Sequence, residues 1–185
     1  MTKRFIGIMF LLIMLTAVFF VGIRTRYPIR YGPAIQRGAD RLSPALISAV
    51  IHAESKFKPD ALSKKGAMGL MQVTGPTGEW MASVMKLTAF ETDMLYDPEI
   101  NIAVGCYFLN WLTDYYGGDQ RLALCAYNAG LGNVNRWLAD IRYSPDGSAL
   151  DVIPFPETDQ YIRRVENNRF LYEVLWRIPF YAVNG

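Results

Sequence analysis

"VIHAESKF", residues 50–57, closes an apolar run with a carboxylate. Counted back from Glu54, the side chains of Ile51, Val50, Ile47 and Leu46 fall at spacings of three, four, seven and eight. Those spacings share one face of an α-helix, so Glu54 is the last residue on a stripe that faces a core. Ser43 and Pro44 supply the start of that helix, a capping hydroxyl followed by proline in the first turn. Pro59 disfavours helix at Lys58, which predicts an end near Glu54. His52, the single histidine, lies opposite the stripe and reads as a surface or pocket-edge side chain. A buried glutamate is neutral, paired or at work. Periodicity alone leaves two readings open, a hydrogen-bonded core carboxylate and a functional one.

Working outward from this stretch, the chain reads as helical nearly throughout. Pro76 opens a helix carrying Trp80, Val84 and Leu87. "DPEINIAVGCYFLNWLTDYYGG", residues 97–118, is apolar on most faces, which predicts a central helix closed by Gly117 and Gly118. "DQRLALCAYNAG" is a short helix, and "GNVNRWLADI" another, with Val134, Trp137, Leu138 and Ile141 at helical spacing. The last helix puts Tyr161, Val165, Tyr172 and Leu175 on one side. No period-two strand and no repeat is visible.

The other end of the chain is of a different kind. Phe5–Ile23 is about nineteen residues without a charge, enough to span roughly 28 Å of hydrocarbon. Its length and the lack of an Ala-x-Ala-like site favour an uncleaved anchor at residues 1–23 over a cleaved signal sequence. Lys3 and Arg4 before it are rivalled by Arg24, Arg26 and Arg30 after it, so the positive-inside rule does not orient it. Residues 24–41, "RTRYPIRYGPAIQRGADR", hold five arginines against Asp40 and read as a basic linker, with Pro28, Gly32, Pro33 and Gly38 breaking periodicity. From Leu42 onward twelve Lys and Arg face sixteen Asp and Glu. A mildly acidic domain argues against a nucleic-acid-binding face.

Several chemistries are disfavoured by what is missing. One histidine cannot form a His triad for a metal, and no Walker loop, GxGxxG or GxSxG occurs. Cys106 and Cys125 have no CxxC spacing and read as two buried thiols rather than a disulfide. No metal or cofactor is expected. What remains is carboxylate chemistry. "GAMGLMQ", residues 66–72, has two glycines that permit close backbone approach and then Gln72, whose amide both donates and accepts. "AYNAGLGN" brings Tyr127 and Asn128, an aromatic face and an amide, to a helix end. Amides, a phenol and stacking surfaces suit a sugar that bears N-acetyl groups.

In order along the chain, "ES" (Glu54-Ser55), "GLMQ" (Gly69–Gln72), "ALCAYNAG" (Ala123–Gly130) and "ETDQYIRRV" (Glu157–Val165) resemble the soluble-lytic-transglycosylase-like family. The resemblance runs from about Leu42 to about Leu175, and "LYDPEINIAVG" looks like the approach to the family's central helix. Two departures are visible: Gly75 stands where many members have proline, and Cys125 replaces a small residue before "AYN". The resemblance implies a mainly α, goose-type lysozyme-like domain at 42–178, which the apolar segment at 1–23 would precede as one transmembrane helix. It implies that Glu54 is the sole catalytic acid and base, cleaving the bond between N-acetylmuramic acid and N-acetylglucosamine and closing a 1,6-anhydro ring. It further implies that Ser55 positions Glu54 or substrate, that Met71 and Gln72 line the groove, that Tyr127 and Asn128 hold the acetamido sugar, and that Tyr161 reaches toward Glu54. Beside these roles stand plainer ones: Ser55 ends a helix, and Met71 and Tyr161 pack in the core. The expected partners are peptidoglycan strands and the cytoplasmic membrane, with the domain on the outer side of that membrane. A hydrolytic muramidase on the same scaffold and a non-catalytic, membrane-tethered wall-binding protein are the alternatives.

Overall fold

The stripe that ends at Glu54 belongs to a helix buried on nearly every side, α3 (Pro44–Ser55). Its cap is as expected, with Ser43 Oγ accepting from the Leu46 N–H at 3.1 Å. Its end is not set by Pro59. Lys56 and Phe57 both take left-handed backbone conformations, and the Lys56 N–H closes onto the His52 carbonyl. The computed structural model describes residues 2–178, with side chains from Phe5 onward. The side chains of Lys3 and Arg4, and the amino terminus, lie outside the described residues.

Before α3 come α1 (Thr2–Arg26) and α2 (Gly32–Gly38). After it come two short antiparallel strands, β1 (Ala67–Met68) and β2 (Val73–Thr74), paired Ala67 to Thr74 and Met68 to Val73. Strands this short leave no period for a sequence to show. Then follow α4 (Gly75–Val84), a 3-10 turn at Thr92–Tyr96, α5 (Pro98–Tyr115), α6 (Gln120–Ala129), α7 (Leu131–Leu138) and α8 (Pro156–Leu175). Asp97 and Asp119 cap α5 and α6 through their carboxylates. The last helix, α8, packs along α3, while α5 joins α2, α4 and α6 into the other half of the core.

Several expectations are corrected. The stretch at 24–41 is not a linker. Arg24 and Arg26 end α1, and Ile29, Ala34 and Ile35 are core residues, because Pro33 begins α2 and lays it against α5. Two surface ion pairs, Arg37 with Glu99 and Arg41 with Asp114, join this segment to α5. The folded domain therefore begins well before Leu42. On α4 the buried face is Gly78, Met81 and Ala82, leaving Trp80 and Val84 exposed, and Leu87 lies beyond the end of the helix and is exposed too. Ile141 is 77 % exposed, because α7 ends at Leu138 before its spacing could carry Ile141 inward.

His52 is the largest correction, since it is buried. Arg26 Nη1 lies 3.2 Å from Nε2, the Tyr172 hydroxyl lies 3.2 Å from Nδ1, and that hydroxyl donates to the Pro28 carbonyl. The donors assign a neutral ring that accepts at Nε2 and donates from Nδ1. Burial first, then Arg26 and Lys56, push its pKa down from 6.5 to about 4. The side of α3 opposite the stripe is thus covered by the end of α1 and by α8. Helix α1 itself is apolar and bare along Phe5–Val21, but its Ile23 touches the core.

Candidate active site

The "GLMQ" loop is pinned from below by one fully buried amide. Asn101 accepts from the Met71 N–H at 2.7 Å and donates to the carbonyls of Met68 and Leu95 at 3.0 and 2.7 Å. Two glycines make this possible. Gly69 has φ +72°, and a Cβ there would lie 2.3 Å from the Asn101 amide. A Cβ on Gly105 would lie 2.6 Å from Met71 Sδ. Met71 is therefore core rather than groove lining. Its contribution is its carbonyl, which accepts from the Tyr127 hydroxyl at 2.8 Å and ties α6 to the loop. Gln72 follows with φ +51°, a strained conformation for a non-glycine residue and one that clusters at functional sites.

Above this floor is a cleft of about 410 Å³ lined by Glu54, Gln72, Tyr127 and Asn128, together with Ser63, Lys64, Lys65, Ala67, Thr74 and Glu157. Four of the seven residues singled out in the sequence thus meet at one place. The Gln72 amide donates to the Ala61 and Gly69 carbonyls, which leaves Oε1 as its spare polar atom. Asn128 has the opposite arrangement. Thr158 donates to its Oδ1 at 2.9 Å, which holds the side chain and leaves Nδ2 to donate.

Burial pushes the Glu54 pKa up from 4.5 to about 7, with the neighbouring Glu157 carboxylate adding to the rise. The Tyr161 hydroxyl and Arg164 act the other way. That hydroxyl is buried and makes no hydrogen bond of full geometry, although it is close enough to Glu54 to favour the carboxylate. It is a donor whose interaction with Glu54 strengthens when that carboxyl ionises. Tyr127 and Tyr161 both titrate well above 10, chiefly through burial, so both remain donors. Near neutral pH the cleft holds a carboxyl group divided between its acid and base forms.

Ser55 is not part of the cleft. It is buried, and its hydroxyl donates back to the Ile51 carbonyl at 3.2 Å, the plainer of its two roles. Four residues escaped the sequence reading. Glu157, in the first turn of α8, brings a second carboxylate to the cleft. Lys64 and Lys65 stand at the cleft on a turn held by Ser63, whose Oγ accepts from the Lys65 and Ala67 N–H groups. Asn101 had a signal, a polar residue set between Ile100 and Ile102 in the apolar early part of α5. The others had none, since their place depends on how distant loops meet. The buried thiols of Cys106 and Cys125 are free, as expected, and burial raises both to about 12.

The family model of the transglycosylase SLT domain matches residues 34–146. The chain belongs to this family. The SLT match begins inside α2, in keeping with a domain that starts before Leu42. Relatives of this SLT chain include the soluble lytic murein transglycosylase of Escherichia coli K12, 29% identical over 77% of this chain and 23% of that protein. The membrane-bound lytic murein transglycosylase C of Yersinia pestis is 35% identical over 67% of this chain and 37% of that protein. Lytic transglycosylase Slt of Pseudomonas aeruginosa, solved as an inactive Glu-to-Gln mutant, superposes with a TM-score of 0.73 at 30% identity, over 88% of this chain and 27% of that one. The 70-kDa soluble lytic transglycosylase in complex with bulgecin A gives 0.72 at 26% identity, over 82% and 25%. The fold is that of these SLT enzymes, and the chain spans between 23% and 37% of their lengths.

Proposed function

We propose that this SLT chain is a membrane-anchored lytic transglycosylase that cleaves the β-1,4 bond between N-acetylmuramic acid and N-acetylglucosamine in peptidoglycan. The observation that carries this reading is Glu54, buried enough to titrate near 7 yet lining an open cleft. In its acid form Glu54 protonates the glycosidic oxygen as the carbon–oxygen bond breaks. As carboxylate, stabilised by the Tyr161 hydroxyl, it takes the proton from the muramic acid 6-hydroxyl while that oxygen bonds to C1. The proton gained in the second step replaces the one given in the first, and no water is consumed. Asn128 Nδ2 and the Tyr127 ring are suited to hold an acetamido group, whose own oxygen would steady the positive charge at C1. Gln72 Oε1 is suited to accept from a sugar hydroxyl.

One observation favours a second reading. Glu157 brings another carboxylate to the same cleft, and a second carboxylate is what a water-activating glycosidase uses. Mass spectrometry of the muropeptides released from purified wall separates the two. Products lighter by one water establish the transglycosylase, and reducing ends establish a hydrolase.

The anchor is residues 1–23, with α1 running on to Arg26. Phe5–Arg26 is long and apolar enough to cross a bilayer, and its lipid-length part is exposed among the described residues. Peptidoglycan lies outside the cytoplasmic membrane, so the SLT domain faces outward. Protease added to intact protoplasts or spheroplasts should degrade it; survival of the domain until lysis would reverse the topology.

A further inference from the structure

Six aromatic rings form one unbroken run that starts in the cleft. Tyr127, a cleft residue, lies 5.4 Å from Phe108 between ring centroids. Phe108 is stacked with Trp111 at 6.5 Å, and Trp111 with Tyr115 at 5.5 Å. Trp80 leans edge-on against Phe108 and Trp111, at 6.0 and 4.8 Å, and Tyr116 leans on Tyr115 at 5.0 Å. Phe108, Trp111 and Tyr115 recur at intervals of three and four, so they share one face of α5. Ile102, Leu109 and Leu112 of that helix are fully buried, while Phe108 and Trp111 are half-buried against the edge of the same core. The run reaches solvent, since Trp80 is 43 % exposed and Tyr115 50 %.

We infer that this run is a platform for the glycan strand, holding sugars beyond the pair whose bond is cut. The inference rests on the reading of the cleft as a peptidoglycan site. Three features of the surface match a polysaccharide. A pyranose presents C–H groups on its faces and hydroxyls around its edge, and aromatic rings accept the former. The hydroxyls find a polar margin, where Asn135 donates to the Tyr115 hydroxyl at 2.8 Å and accepts from the Tyr116 hydroxyl at 3.0 Å. The run also touches the cleft through Tyr127, which packs on Phe108 and lines the cleft itself. Contiguous exposed apolar surface is one mark of a binding site. Binding energy gathered there, away from the reacting bond, is available to align the strand over Glu54.

The test compares strand lengths on the full chain in detergent micelles. Wild type, Trp80→Ala, Tyr115→Ala and the double variant are given glycan strands of four and of eight or more sugars. Phe170→Ala, an exposed ring on α8, serves as control. The preference of wild type for long strands, as a ratio of kcat/KM values, should fall roughly tenfold in the double variant, equal to about 1.4 kcal/mol shared by two ring contacts. Trp80→Phe, which keeps a ring, should recover part of it, and thermal melts confirm folding. An unchanged ratio, or equal loss on short and long strands, overturns the platform. Calorimetric binding of long strands to Glu54→Gln protein separates this from the proposed reaction. Should wild type cut nothing, length-dependent binding that the double variant lacks still upholds the platform, and binding indifferent to length or to the two rings refutes it.

Discussion

Glu54 and His52 stand two residues apart on the same helix, and burial acts on both in the same sense. It favours the neutral form of each, raising the acid to about 7 and lowering the base to about 4. Their surroundings differ. Every polar atom of the His52 ring is committed to Arg26 or Tyr172, within a closed packet that also holds Tyr27 and Phe57. Glu54 opens on a cleft, beside a hydroxyl that has not completed its hydrogen bond. A shifted titration therefore does not by itself mark a reactive group. The shift becomes chemically useful where partner atoms are left unfilled and a substrate can reach them.

The sharpest way to break this contrast is Glu54→Gln. It keeps volume and hydrogen-bonding shape but removes the proton, so wall-clearing activity should fall by about 10² to 10⁴ while the melt at neutral pH is unchanged or higher. Glu79→Gln, which touches only an exposed hydrogen bond from Thr92, should keep full activity. A folded Glu54→Gln protein with a tenth of wild-type activity or more would sink the assignment.

His52→Ala should show the reverse pattern. It opens a cavity and removes the bonds that Arg26 and Tyr172 make to the ring, which costs about 2–4 kcal/mol in urea unfolding. Activity per folded molecule should persist. A stable variant with lost activity would erase the distinction between the two residues.

Their opposite shifts also predict opposite pH dependences. Native Glu54 holds its proton where the unfolded chain has lost it, so its contribution is full below 4.5 and is lost as pH rises to about 7. Native His52 lacks the proton that the unfolded chain carries, so its contribution is full above 6.5 and is lost as pH falls to about 4. Between 4.5 and 6.5 the slopes oppose, each at most about 1.4 kcal/mol per pH unit, and nearly cancel. Unfolding measured at pH 5, 5.5 and 6 should find Glu54→Gln gaining stability with rising pH and His52→Ala losing it, around a flatter wild type. Parallel slopes in the two variants would contradict the shifts.

The smallest effect is expected at Ser55, the neighbour of Glu54. Its hydroxyl serves only the Ile51 carbonyl, so Ser55→Ala should change stability by less than about 1 kcal/mol and leave wall clearing intact. A large loss of activity with a normal melt would return Ser55 to the site.

What was legible in the sequence was local. Ser43 with Pro44, and Asp97 with Pro98, announce helix starts because capping needs only neighbouring atoms. The stripe from Leu46 to Ile51 announces a buried face, and the acid at its end stands out against it. The order of short motifs, carried by residues close in the chain, identified the family and hence the fold. Periodicity, however, reports how one helix divides its own faces and not what covers them. That is why His52 looked exposed: its cover comes from Tyr27 and Tyr172, which stand 25 residues before it and 120 after it. The same limit hid Ile29 and Ile35 in an apparent linker, turned Met71 and Ser55 inward, and brought Glu157 and two lysines to the cleft. The sequence by itself determined most of the helices, the long apolar segment near the N-terminus and the carboxylate at the end of the buried stripe. Only the tertiary structure decided which side chains reach that carboxylate, because contacts between distant segments depend on packing that no local spacing encodes.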